Sequence, residues 1–157
     1  GNNGNRLQTI MKKFTILLAA LLAVCTTVVA LAGNDRMISV GELPASSQQF
    51  INTYFKGLEV SYAKVDEELF DKSYKVLFVD GSKVEFRRNG DWKEIECKYG
   101  EVPAGIVPRP IRDCVSTRFA QRRIISLDRD RRGYDVELDN GLDLEFDSGF
   151  RLVDIDD

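Results

Sequence analysis

Six carboxylates stand at alternate positions of one short segment: Asp135, Glu137 and Asp139 before Asn140-Gly141, and Asp143, Glu145 and Asp147 after it. In extended chain, alternate side chains point to the same side, so this spacing predicts one acidic surface across a hairpin. Three chemistries are open to it. Oxygen ligands in number suit calcium, a field of one sign docks a basic partner, and a carboxylate pair hydrolyses glycosides when one acid is desolvated in a groove opposite the other. Like charges across strands repel, so compensation is expected nearby, and Arg129, Arg131 and Arg132 on or beside the preceding strand are the candidates. The plain expectation is a solvated, arginine-laced face; the sharper one is a cation or partner site. An EF-hand is not expected, because Asp128-Arg129-Asp130-Arg131 places bases where a third oxygen ligand belongs.

The equivalent positions of an earlier segment are Lys75, Leu77, Val79, Lys83, Glu85 and Arg87, a basic and partly apolar set. Trp92 falls, by simple alternation, on the same side as Glu94 and Glu96, where an exposed aromatic would anchor an interface. The competing expectation is that a helix or the segment Met37 to Val40 covers it. The predicted partner-binding surface is therefore Trp92, Lys75, Leu77, Lys83 and Arg87, with Asp143 and Glu145 as its acidic half. If the two segments form a continuous sheet, its exposed side has a basic and an acidic half, a field that orients a partner or favours head-to-tail self-association; the plainer expectation is a solvated sheet whose charges have simply drifted.

Catalysis has little to work with. The chain has no histidine, which removes the commonest general base, the usual hydrolytic triads and most zinc sites. No phosphate-cradling glycine loop and no cysteine pair of metal spacing occurs, so neither an enzyme, a cofactor nor a metal-ligand set is expected. Cys97 and Cys114 could pair in an oxidising compartment, contributing about 3 kcal/mol in the loop-entropy model. Both fall at core positions, matching the places of Ile155 and Phe50, so separate buried thiols are the expectation.

The elements that must position these residues follow a leader. Residues 1–10 are Asn/Gly-rich and precede Met11, which reads as an over-extended start. Residues 11–32 run from Lys12-Lys13 through an apolar stretch, Phe14 to Leu31, to Ala30-Leu31-Ala32, the order of a secretory signal peptide. A retained anchor and a lipobox at Leu22-Ala23-Val24-Cys25 are weaker readings, the second because Val24 sits where a small residue is wanted. The leader holds three of the 22 basic residues and none of the 25 acidic ones, so the exported part carries about −6. Nucleic acid is not an expected partner of so acidic a chain, since phosphate binding needs a basic face.

The exported part reads as two copies of one unit, residues 33–100 and 101–157. Leu43-Pro44 and Val107-Pro108 each precede apolar residues at helical spacing: Phe50, Ile51, Tyr54 and Phe55, then Ile111, Cys114, Val115 and Phe119. The period then changes to two, over Tyr74, Val76 and Phe78 and over Tyr134, Val136 and Leu138, with Asp80-Gly81 and Asn140-Gly141 as hairpin turns. Strands are also expected over 59–66, 92–97, 123–130 and 150–155. The predicted fold is α+β: two tandem repeats, each with one helix on a four-stranded antiparallel meander, one sheet face buried and the other free.

These residues also resemble a known family. Asp91-Trp92-Lys93-Glu94-Ile95-Glu96-Cys97-Lys98, Val102-Pro103-Ala104 and the run from Gly133 to Asp147 look like the periplasmic PepSY-like proteins, described too as β-lactamase-inhibitor-like. The resemblance spans essentially the whole exported part. It implies two tandem helix-plus-four-strand units forming a sheet, in a periplasmic or secreted protein without known catalysis, and it supplies no site residues. Sequence and resemblance together predict a non-catalytic binding protein for an envelope protein or peptide, with inhibition of a peptidase or other hydrolase as one form of that role. A structural or cation-binding envelope protein using the acidic hairpin is the alternative, and a carboxylate-based hydrolase the third reading.

Overall fold

The computed structural model describes residues 34–157, so the expected leader lies outside the described residues. Strand β1 (Arg36–Ile38) and a single 3-10 turn (Val40–Glu42) lead into helix α1 (Ala45–Tyr54). Strands β2 (Val60–Glu67), β3 (Lys72–Phe78), β4 (Lys83–Arg87) and β5 (Trp92–Glu96) follow, then α2 (Arg109–Arg118), β6 (Ile124–Arg129), β7 (Gly133–Leu138), β8 (Asp143–Asp147) and β9 (Leu152–Asp156). Pro44 and Pro108 stand immediately before the two helices, where a missing N–H costs nothing. No helix among the described residues is long and apolar enough to cross a membrane.

All nine strands form one antiparallel sheet in sequence order. The joint is β5 with β6, in the register Glu94↔Asp128, Ile95↔Leu127 and Glu96↔Ser126. It is extended by the Cys97 amide on the Ile125 carbonyl at 2.7 Å and the Val102 amide on the Ile124 carbonyl at 2.8 Å. This corrects the expected α+β arrangement of tandem units, each on its own four-stranded sheet: the molecule is mostly β, a single nine-stranded layer with two ten-residue helices. The physical reason is the edge. Strand β5 is buried on its inner face at Trp92 and Ile95, and leaving its outer backbone groups bare would cost a ladder of hydrogen bonds. The ninth strand, β1, pairs with β2 and is too short to announce itself by period.

One face of the layer is sealed. Val76, Phe78, Val84, Phe86, Ile95, Leu127, Val136, Leu138, Leu144 and Phe146 are fully buried there. Against them pack Ile51 and Phe55 at α1 and Ile111 and Val115 of α2. Phe55 stacks on Phe78 with centroids 5.0 Å apart, and Phe50 meets Phe86 edge-on at 5.7 Å, arrangements that add to area burial. Ser47 is the polar member, fully buried, its hydroxyl donating to the Gly90 carbonyl at 2.9 Å and tying α1 to the β4–β5 turn. Cys97 is a buried free thiol and Cys114 a partly buried one; burial pushes the Cys97 pKa up.

The hairpins form where expected, and in each dipeptide only the glycine is left-handed. Gly81 and Gly141 are at 88° and 86°, while Asp80 and Asn140 are not left-handed, which is the three-residue loop with a bulged glycine rather than the two-residue turn. Gly133 is needed for a different reason. A Cβ there would lie 1.9 Å from the Phe146 carbonyl oxygen on β8. Gly133→Ala is predicted to destabilise the protein by about 3 kcal/mol through this backbone clash. Gly141→Ala, with open space around it, should cost only about 1–2 kcal/mol of left-handed strain. Denaturant unfolding of the two variants checks the order; equal losses would contradict the close approach.

Candidate functional site

With the helices on one side, the other face of the sheet is left to polar side chains, and the register lays them out in two transverse rows. The first runs Lys64, Lys75, Glu85, Glu94, Asp128, Asp135, Glu145, Asp154 across β2 to β9. The second runs Tyr62, Leu77, Lys83, Glu96, Ser126, Glu137, Asp143, Asp156. Side chains directly opposite across antiparallel strands sit about 5 Å apart at Cβ, so neighbours in a row interact. Charge therefore changes sign along the face, from lysines on β2–β4 to carboxylates on β6–β9.

The basic end is already spent. Lys64 pairs with Asp35 at 2.5 Å, Lys75 with Glu85 at 3.8 Å, and Lys93 with Glu85 at 3.3 Å. Lys83 bridges Glu94 at 3.3 Å and Glu96 at 2.6 Å, and Lys98 adds a second contact to Glu96 at 3.0 Å. Burial works against the Lys83 charge, but the hydrogen bonds to Glu96 and Glu94 outweigh it and raise its pKa. The same Lys83 hydrogen bond, foremost, holds Glu96 below the ordinary carboxylate value.

The acidic end is not spent. Asp128, Asp135, Glu137, Asp143, Glu145, Asp154 and Asp156 border a shallow depression of about 360 Å³ on β6–β9. Among the described residues none of the seven makes an ion pair. The expected arginine lacing forms no ion pair with them, although Arg132 lies near enough to feel the charges of Glu145 and Asp135. Arg129 lies on the opposite face by alternation, its guanidinium 3.9 Å from the Trp92 ring centroid and its Nε donating to the Trp92 carbonyl at 2.9 Å. Arg132 turns back to Asp130 at 3.0 Å. Asp128 shows the consequence: burial first, then the Glu94 carboxylate, with Asp135 and Asp130 adding to them, push its pKa up against the pull of Lys93. No three of the acids converge closely enough to hold a metal ion.

The predicted site residues fall as follows. Lys75, Leu77 and Lys83 are on the open face and half-buried. Arg87 sits at its rim, donating to the Arg129 carbonyl. Asp143 and Glu145 are on the open face, exposed and without ion-pair partners among the described residues. Trp92 is not on that face. A bulge between Glu85 and Phe86 pairs Trp92 with Phe86 and turns it inward, where it is 9% exposed within the core cluster. An inserted residue inverts the alternation on which the outward placement relied. The same irregularity in β8–β9 pairs Leu152 with Phe146 and leaves Asp154 and Asp156 outward. Of the six hairpin carboxylates, Asp139 and Asp147 are engaged locally, with Arg123 at 3.2 Å and Arg151 at 2.8 Å. Reading the sequence alone missed Asp128, Asp154 and Asp156; the alternation in Asp154-Ile155-Asp156 is the signal that could have found the last two.

A raised carboxylate in the native state means ionising it costs folding free energy, so protonation stabilises and stability falls as pH rises through and above the unfolded value. Asp128→Asn removes that cost. It is predicted to raise the melting temperature at pH 7 by about 1–3 °C. The gain should vanish near pH 3, where the carboxyl is protonated in both states. A gain independent of pH, or a loss at pH 7, would contradict the charge argument.

The chain matches the family model described as "Putative beta-lactamase-inhibitor-like, PepSY-like" over residues 72–154. It is 40% identical to a crystal structure described as a "putative periplasmic protein" of the DUF2874 family from Bacteroides vulgatus, with TM-score 0.78, covering 80% of this chain and 99% of that one. A "putative calcium-regulated periplasmic protein" from Bacteroides thetaiotaomicron is 39% identical, TM-score 0.77, covering 78% and 97%. A third, a "putative periplasmic protein of unknown function" from Bacteroides vulgatus, is 31% identical, TM-score 0.75, covering 79% and 100%. No curated protein matches the chain.

Proposed function

The chain belongs to the PepSY-like, β-lactamase-inhibitor-like family of periplasmic proteins, and from that premise we propose that it is a non-catalytic binding protein whose open sheet face recognises a cationic segment of a protein or peptide in the cell envelope. One observation carries the reading: seven carboxylates lie on two adjacent rows without an ion pair among the described residues, while the lysines of the same face are consumed by internal pairs. An uncompensated like-charge surface costs stability and is neutralised by an incoming opposite charge, which also steers encounter. The internal pairing of Lys64, Lys75 and Lys83 weighs against a second copy as the partner, because head-to-tail docking would offer the acids few free cations. Obstruction of a hydrolase through a cationic surface patch is one form this binding can take.

Non-catalytic action is supported by the absence of histidine and by the openness of the acids, which no groove sets opposite one another as acid and base. A second reading, calcium association, is favoured by the relative described as calcium-regulated. The carboxylates supply oxygen donors but no convergent cage among the described residues, so calcium would act as a counter-ion shared between strands rather than as a ligand in a rigid site.

The triple variant Asp135→Asn, Asp143→Asn, Glu145→Gln separates these readings. It is predicted to keep or raise the melting temperature and to weaken binding of a lysine-rich peptide by roughly tenfold at low salt. Raising ionic strength should weaken the unaltered protein in the same direction. Unchanged peptide affinity would contradict the proposal. A saturable calorimetric heat with calcium, absent with magnesium and lost in the variant, would favour the second reading.

A further inference from the structure

The acidic rows end at β9, and β9 is an open edge. Among the described residues its only strand partner is β8. The ladder parity follows from one bond: the Leu138 amide donates to the Leu142 carbonyl, so residues 142, 144 and 146 direct their backbone groups to β7, and 143 and 145 direct theirs to β9. Asp154 and Asp156 then bond β8, opposite Glu145 and Asp143. The N–H and C=O of Ile155 consequently point away from the sheet.

The side chains of this edge are divided by face. Asp154 and Asp156 extend the carboxylate rows, whereas Leu152 and Ile155 lie on the core side, where Ile155 is 41% exposed for want of a neighbouring strand. The opposite edge, β1, has three residues against the five of β9. We propose that β9 is a β-augmentation site: an extended peptide with Lys or Arg alternating with apolar residues adds as a tenth strand. Its cations would stand opposite Asp154 and Asp156, and its apolar residues would cover Leu152 and Ile155.

Charge selects this occupant over a second copy. Pairing β9 with its own duplicate would set Asp154 and Asp156 against identical carboxylates, which is how edges are guarded against self-association. A cationic strand meets the same guard as attraction. Main-chain hydrogen bonds would give the affinity and the alternation would give the specificity. This inference rests on the cation-recognising reading of the face and adds where and in what conformation the partner lies.

The test titrates the full chain with two fluorescent ten-residue peptides of equal composition. One alternates Lys and Val; the other carries five Lys followed by five Val. The alternating peptide is expected to bind roughly tenfold more tightly. Ile155→Pro deletes an outward N–H without breaking the β8 ladder and should erase that preference while leaving the weaker, charge-driven binding of the block peptide intact. Val153→Pro serves as a second variant, and melting temperatures confirm that each folds. Equal affinity for the two peptides, or a preference that survives both proline variants, overturns the edge proposal but leaves the charged face standing. Failure of either peptide to bind, with no dependence on salt, overturns both.

Discussion

Three residue pairs between β5 and β6 decide what this molecule can present to a partner. Without them there would be two short sheets with two frayed edges. With them the backbone ladder is continuous from β1 to β9, and the side chains above it fall into rows that cross the whole layer. Burial does the rest. Both helices pack their apolar residues into the core cluster on one face, so apolar residues gather there and charged ones are left on the other. The polar face arises here as the remainder of a folding problem solved from one side.

That surface is electrostatically unequal. Lysines at its N-terminal end sit among acids and are paired within the chain, whereas β6 to β9 place Asp or Glu at every outward row position but Ser126. The arginines that might have balanced them are diverted, Arg129 to the Trp92 ring and Arg151 to the β8–β9 turn. Local repulsion retained in an otherwise well-satisfied fold is the kind of conflict that marks a functional surface. The β9 edge, unpaired among the described residues, shares the feature, since its acids discourage pairing with a like edge.

Much of this was legible in the sequence, and the failures have definite causes. Helical spacing before Phe55 and Phe119 and alternation around Gly81 and Gly141 located the helices and hairpins, because both signals are local. The pairing of β5 with β6 carries no local signal: period two says which side a residue faces, not which strand lies beside it, so the sequence predicts two four-stranded units and leaves open whether they join, where one nine-stranded sheet exists. Trp92 was misplaced by a single inserted residue, a bulge that inverts parity without changing composition. The regular pairing of β7 with β8 makes the outward placement of Asp143 and Glu145 legible, while the same type of bulge between Glu145 and Phe146 in the β8–β9 register turns Leu152 inward and leaves Asp154 and Asp156 outward, where alternation alone already sets them. The arginine compensation failed for want of one parity step: Arg129 lies on the buried side of β6, next to the outward Asp128.

A backbone amide NMR map of the protein titrated with a lysine-rich peptide decides whether the open side of the sheet is where a cationic partner sits. Shift changes are expected to concentrate on β6 to β9, led by Asp128, Asp135, Glu145 and Asp154, while the amides of both helices stay still. Changes centred on α1 or α2, or spread evenly over the molecule, would contradict a binding face on the open side of the sheet.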